Sequence, residues 1–230
     1  MKDKLEYMIK DEFKLKQFRR YYELLTEWNK VMNLTAITEY DEVVEKHFLD
    51  SLSIERVVDL AEIGTVIDVG TGAGFPGIPL KIAYPHLNVV LLDTLNKRVK
   101  FLNTVINELG FSNIEAIHGR AEDAARKEEY REKFDLCVSR AVANLSTLSE
   151  YCIPFVKRGG LFISYKSENI DEELQKSTKA IKILGGNIDK VVKFQLENTE
   201  LRRSFVKIMK INNTSKKYPR KAGLPGKEPL

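Results

Sequence analysis

Two carboxylates flanking a glycine-rich run carry the most chemical information in this chain. Asp68 precedes Gly70-Thr-Gly72-Ala-Gly74-Phe75-Pro76-Gly77, and Asp93 closes the next apolar run, Val89-Val-Leu-Leu. A short apolar strand over 65–69 entering such a loop, with Pro76 suited to the first turn of a helix, makes a strand–turn–helix unit. Glycines let a backbone approach a ligand closely. The segment from Gly72 to Gly77 also satisfies the G-x-G-x-x-G dinucleotide pattern, which alone discriminates poorly. Asp68 argues against that reading, because an anion there repels a pyrophosphate but suits a ligand bearing an ammonium and a sulfonium. Asp93 lies about 20 residues on, where an acid takes ribose hydroxyls. Acid, loop and acid without a phosphate-neutralising group point to S-adenosylmethionine (SAM).

Ligands of open α/β sheets sit beyond the carboxyl ends of the strands. That rule selects Gly70 to Phe75 after the first strand, and Asp93, Thr94 and Leu95 after the second. It selects Arg120, Ala121 and Glu122 after the third, Ser139, Arg140 and Ala141 after the fourth, and Tyr165, Lys166 and Ser167 after the fifth. Asp93 is expected on the ribose, Ala121 and Glu122 at the adenine edge, and Phe75 beside the methionine or adenine moiety. Arg140 and Lys166 are expected as cations at the cleft mouth that position an electron-rich or anionic substrate. An arginine can bind guanine O6 and N7 together. A reacting N7 must be free, so O6 or phosphate is the expected partner. Asn33, His47 and Asp50 come from N-terminal helices expected over the cleft; for His47, an RNA contact and a core-edge position fit equally.

The elements that position these groups are legible in the spacing. Phe18, Tyr21, Tyr22, Leu25, Trp28 and Met32 recur every three or four residues, one face of a helix. Thr38 and Asp41 resemble a capping box ahead of a second short helix carrying Val43, Val44 and His47 to Leu49. From residue 64, strands at 65–69, 88–92, 114–118, 134–138 and 161–165 alternate with helices near 77–84, 96–109, 121–130, 144–156 and 170–185. Such alternation implies βαβ units and a parallel sheet. Strands at 191–196 and 203–211 are joined by so short a link that they must pair antiparallel. The expected fold is α/β, a Rossmann-like methyltransferase sheet ending in an antiparallel pair. The expected units are an N-terminal helical extension (1–60), a SAM-binding domain (61–212) and a basic tail (213–230).

Composition bounds the rest. The 230 residues are 43% hydrophobic and 30% charged, as in an ordinary globular protein, and Cys137, Cys152 and three scattered histidines form no metal or disulfide pattern. A charged N-terminus and no span-length apolar run lead us to expect a cytoplasmic protein without a membrane partner. The net charge is +4, yet residues 210–230 hold six basic residues against Glu228. That surplus suggests phosphate contacts by Lys216, Lys217, Arg220 and Lys221; a merely solvated tail is the alternative.

Several motifs together resemble the GidB/RsmG family of bacterial 16S ribosomal RNA methyltransferases. They are Asn33-Leu-Thr-Ala, His47-Phe-Leu-Asp-Ser-Leu, the run over 68–80, Leu92-Asp-Thr-Leu-Asn-Lys-Arg, Ser139-Arg-Ala-Val-Ala and the end from Pro219 to Leu230. The resemblance covers essentially the whole chain. It implies SAM-dependent methylation of N7 of one guanine, with Gly70, Phe75, the Asp93 segment, Ala121, Glu122 and Arg140 at cofactor-contacting positions. It implies as partner 16S ribosomal RNA, the small subunit or an assembly intermediate; separately, a monomer is expected. A small-molecule methyltransferase, a NAD-dependent oxidoreductase and a catalytically silent RNA-binding module are the competing readings.

Overall fold

The computed structural model describes residues 4–140 and 143–230. Ala141, named above as a strand-end residue, lies outside them together with Val142 and residues 1–3. Among the described residues, seven strands form one sheet: β1 (Thr65–Val69), β2 (Asn88–Asp93), β3 (Ile114–His118), β4 (Phe134–Arg140), β5 (Val156–Ser167), β6 (Gly186–Gln195) and β7 (Arg202–Lys210). Their order is β3-β2-β1-β4-β5-β7-β6. The first five run parallel, and β7 pairs antiparallel with both β5 and β6. The expected parallel sheet with an antiparallel end is therefore the observed one.

Alternation along the strands divides the interior between the two faces. Val66, Leu91, Val138 and Phe205 join a cluster that includes Phe18, Tyr21 and Leu25 of the N-terminal helix. Ile67, Leu92, Cys137 and Val206 join a second cluster, with Leu148, Phe155 and Tyr218. The N-terminal helix spans Glu12–Met32; Asp11 caps it by accepting from the Phe13 and Lys14 amides, and Asn33 ends it at φ 48°. The stripe of apolar spacing is thus its buried face. Asn33 itself is exposed and serves as the helix terminator.

Three local expectations change. The next helix starts at Tyr40 with Glu39 as its cap and no side-chain capping bond, so Thr38 and Asp41 do not form a capping box. It then widens into a π-helix over Val44–Leu49. The helix expected over 121–130 shrinks to Ala121–Ala124, because the Arg131 guanidinium takes the Ala125 carbonyl at 3.1 Å and carbonyls of the C-terminal segment. The helix expected over 144–156 ends at Cys152; Ile153–Phe155 is a single 3-10 turn holding Pro154, and Val156 already pairs with Phe134.

Candidate functional site

The loop after β1 is built around Asp68. One carboxylate oxygen, Oδ2, accepts from Thr71 Oγ1 at 2.7 Å and from the Gly77 amide at 2.8 Å, closing the turn and capping the Gly77–Ala83 helix. Pro76 is the residue before this helix, and Pro79 occupies its first turn. Gly77 has no room for a side chain: a Cβ there would collide with Leu91 and sit 3.0 Å from Asp68 Oδ2. Gly74, at φ +104°, likewise sits where a Cβ would lie 2.6 Å from Ile78 and 2.8 Å from the Tyr21 hydroxyl. Asp68 is fully buried, and its Oδ1 has no partner among the described residues. Burial pushes its pKa up to about 6, against the pull of the Thr71 and Gly77 hydrogen bonds.

Asp93 joins this loop to the next strand. Oδ2 accepts from the Gly72 amide at 2.9 Å and from Arg98 Nη1 at 3.4 Å, while Oδ1 accepts from the Leu95 amide at 2.9 Å. Two cavities meet here. The larger, about 710 Å³, is lined by residues that include Gly70, Asp93, Thr94, Leu95, Ala121, Glu122, Tyr151 and Gly223. The smaller, about 410 Å³, is lined by residues that include Thr35, His47, Gly72, Phe75, Arg98 and Arg140. Gly70, Asp93 and Thr94 border both, so the carboxyl ends of β1 and β2 carry one two-lobed groove.

The smaller lobe has an aromatic and cationic wall. His47 stacks on Phe75 with ring centres 4.4 Å apart, and the Arg140 guanidinium lies 5.2 Å over the same ring. Arg140 Nη1 donates to Asp50 Oδ2 at 2.9 Å and to the Lys46 carbonyl at 3.0 Å; Nη2 lies 3.2 Å from His47 Nδ1. Asp50 is 2% exposed, and its Oδ1 takes Arg203 Nε at 2.9 Å. The π-helical turn thus delivers a carbonyl, an imidazole and, one residue past its end, a carboxylate to one arginine. Burial, reinforced by the Arg140 charge, pushes the His47 pKa from 6.5 down to about 3. The imidazole is therefore neutral. Nδ1 lies between the Arg140 guanidinium and the Lys46 carbonyl, 3.1 Å from the latter, and Nε2 is 2.9 Å from Thr35 Oγ1, so both ring nitrogens are engaged.

The remaining candidates separate. Lys166 lines neither lobe; Nζ donates to the Ala143 carbonyl at 2.7 Å and to Glu173 Oε1 at 2.6 Å. Asn33 also lies outside both lobes, although Leu34 and Thr35 line the smaller. Glu122 is 5% exposed and accepts the Gly223 amide at 2.8 Å. Of the tail cations, Arg220 is committed to Glu150, Oε2 accepting Nη2 at 2.7 Å, whereas Lys216, Lys217 and Lys221 are exposed. Lys210, counted in the basic end, is buried against the Ile153 carbonyl, Thr214 and Glu132. Spacing gave no signal for Arg203, Tyr151 or Gly223, which reach the site from distant segments; Arg98 stood in the Leu92–Arg98 motif, five residues past Asp93, without a role assigned to it.

Strand order and groove define the class: a Rossmann-like fold of the SAM-dependent methyltransferases. Solved structures agree at the level of fold. The structure of M. jannaschii TYW2 in complex with AdoMet superposes with TM-score 0.56 at 15% identity, covering 76% of this chain and 80% of that one. A ribosomal protein L11 methylase from Lactobacillus delbrueckii subsp. bulgaricus superposes with TM-score 0.52 at 20% identity, covering 71% and 77%. The sequence profile of the GidB family, described as rRNA small subunit methyltransferase G, matches residues 14–206. Ribosomal RNA small subunit methyltransferase G of Lachnoclostridium phytofermentans is 56% identical over 220 residues, 96% of this chain and 91% of that protein. That of Desulforamulus reducens is 54% identical over 213 residues, 93% and 89%. The chain belongs to the rRNA small subunit methyltransferase G family.

Proposed function

We propose that this chain transfers a methyl group from SAM to N7 of one guanine in the RNA of the small ribosomal subunit. The observation that carries the reading is the two-lobed groove, whose lobes share Gly70, Asp93 and Thr94. The larger lobe is within the usual size range for a small-molecule site. In this reading it takes the adenosine, with Ala121, Glu122 and Leu95 along the adenine, and the smaller lobe takes the guanine.

The donor set fits such a ligand. A carboxylate offers about four acceptor sites, and the Asp93 bonds described above use three. The Arg98 contact is the longest of these at 3.4 Å, and the Arg98 side chain is one-third exposed. If Arg98 turns outward, two acceptor sites are open for a ribose diol. Oδ1 of Asp68, unpartnered among the described residues, adds negative potential near Gly70 and Gly72, suited to an ammonium and a sulfonium. When bound, SAM supplies an electrophilic methyl on a positively charged sulfur.

Guanine N7 presents an in-plane lone pair and loses no proton on attack. The chain's task is then to hold the base in line and to exclude water, so positioning and electrostatics dominate. Phe75 and His47 offer the flat apolar wall of the smaller lobe. Arg140 fixes both and places positive charge near guanine O6 or a phosphate. A neutral His47 whose ring nitrogens are both engaged, Nδ1 by Arg140 and the Lys46 carbonyl and Nε2 by Thr35, is not set up to act as a base. In this reading the protein works in the cytoplasm, on the subunit or an assembly intermediate, as a monomer.

The test is to incubate the protein with labelled SAM and small-subunit RNA lacking the modification. Label should appear at a single guanine and mark a borohydride–aniline cleavage point, which reports N7-methylguanine. Label at an uncleavable position refutes the N7 assignment; no label in RNA refutes the substrate class.

A further inference from the structure

The basic C-terminal segment, expected to be an RNA contact, is fastened to the domain on the side of the larger lobe. Glu150, in the Leu145–Cys152 helix, is 1% exposed. A buried carboxylate must be paired. It is paired by one residue of the tail through both side chain and main chain: Arg220 Nε lies 3.0 and 3.1 Å from its two oxygens, Nη2 is 2.7 Å from Oε2, and the Arg220 amide donates to Oε1 at 2.6 Å. Arg220 Nη2 also donates to the Glu228 carbonyl at 2.7 Å, folding the last turn back. Arg131 holds the Thr214 and Tyr218 carbonyls at 2.7 and 3.0 Å, and Thr147 Oγ1 holds that of Pro225 at 3.0 Å.

Three residues beyond Arg220 the tail reaches the groove. Gly223 donates its amide to Glu122 Oε1, and both residues line the larger lobe beside Tyr151, the neighbour of Glu150. At φ +84° Gly223 presents bare backbone to the cavity. Glu122 and Glu150 are thus two buried acids spent on holding the tail against the lobe.

We propose that Arg220 and Glu150 form a positioning clamp that seats the 218–230 segment as a wall of the adenosine lobe, coupling tail docking to cofactor binding. The proposal rests on the assignment of that lobe to adenosine. A ligand that touches the docked wall binds the docked state better, and by reciprocity it must strengthen docking. The clamp commits Nε and Nη2 of Arg220 to Glu150 and the Glu228 carbonyl, so its charge is paired inside the molecule.

Limited proteolysis of the wild-type chain tests the coupling directly, since Lys221 and Lys227 are exposed trypsin sites on the tail. Saturating SAM should slow cleavage at Lys221 roughly 5- to 150-fold, the usual span of such couplings. Cleavage at Lys176 and Lys179, exposed on the Asp171–Ile183 helix, should be unchanged. Arg220→Ala should speed cleavage at Lys221 and raise the SAM Kd by a similar factor, while the single-turnover rate at saturating SAM stays near wild type. A chain ending at residue 222 should show the same Kd, and adding Arg220→Ala to it should do no further harm, because both changes act through one wall. Wild-type calorimetry showing no SAM binding overturns the cofactor reading and the clamp with it. SAM binding with equal Lys221 cleavage in its presence and absence overturns the clamp alone. That comparison needs no variant, so it decides the matter even if Arg220→Ala fails to fold.

Discussion

The half-buried, neutral His47 has a measurable effect on stability below neutral pH. Its folded pKa of about 3 lies far below the ordinary 6.5, with burial the main cause and the Arg140 charge the second. The sign follows from proton binding. Below 6.5 the unfolded chain takes up a proton that the folded chain refuses, so stability falls as pH drops from 6.5 towards 3. At pH 5 the gap is about 1.5 pH units, or about 2 kcal/mol at 1.36 kcal/mol per unit, whereas near pH 7 it is close to zero. Asp68 pulls the other way. Its folded pKa is raised to about 6, so acidification from pH 7 to 5 returns about 1 kcal/mol. A pH scan of wild type alone mixes the two. His47→Gln isolates the first, since glutamine keeps an amide near Thr35 and does not titrate. Urea unfolding followed by Trp28, the only tryptophan, yields the stability difference between the two proteins at each pH. That difference should move by about 2 kcal/mol in favour of His47→Gln between pH 7 and pH 5. An unchanged difference means that His47 titrates normally, and the argument from burial and Arg140 fails. The same neutrality predicts no limb from this residue in the single-turnover rate between about pH 6 and 9; a tenfold fall per unit, lost in His47→Gln, contradicts it.

Asp93→Ala removes a charged acceptor shared by Gly72, Leu95 and, in our reading, the ribose. SAM binding should weaken by about 1.5–3 kcal/mol, and calorimetry giving equal affinities rules out that contact. Lys166→Ala should leave SAM affinity and single-turnover rate near wild type, because its ammonium is spent on Glu173 and the Ala143 carbonyl outside the groove. A tenfold slower methyl transfer would restore Lys166 to the reaction. Replacing Lys216, Lys217 and Lys221 together by alanine should flatten the salt dependence of RNA binding, by up to about 0.9 per lost duplex contact or 0.7 per single-strand contact. An unaltered slope with unaltered melting temperature removes these lysines from the interface.

How far the sequence reaches can be seen residue by residue. Asp68, the glycines and Asp93 were legible because their roles are local: a loop and the next strand end, spaced as a βαβ unit requires. The antiparallel end was legible because a short link permits only one pairing. The groove itself was readable only in part. Arg140 and Lys166 both sit at the carboxyl ends of neighbouring strands, so the topological rule treats them alike. Only packing separates them, turning one onto Phe75 and Asp50 and the other onto Glu173. The π-turn that brings Lys46, His47 and Asp50 to Arg140 has no spacing signature, since residues 40–52 satisfy an ordinary helical pattern too.

The tail shows the same division most sharply. Its charge is a fact of the sequence, and by itself a cluster of cations reads as a polyanion contact. Charge has no direction until the fold supplies a partner, and Glu150 is that partner for Arg220, as Glu132 is for Lys210. The acid lies 70 residues from its arginine along the chain, and no periodicity or composition links them. What the sequence determined is what short-range spacing and the two periods of helix and strand can encode: the sheet, the glycine loop, its two acids and the family. What the tertiary structure decided is which charges are spent inside the molecule and which remain for a ligand, because that depends on burial and on contacts between distant segments.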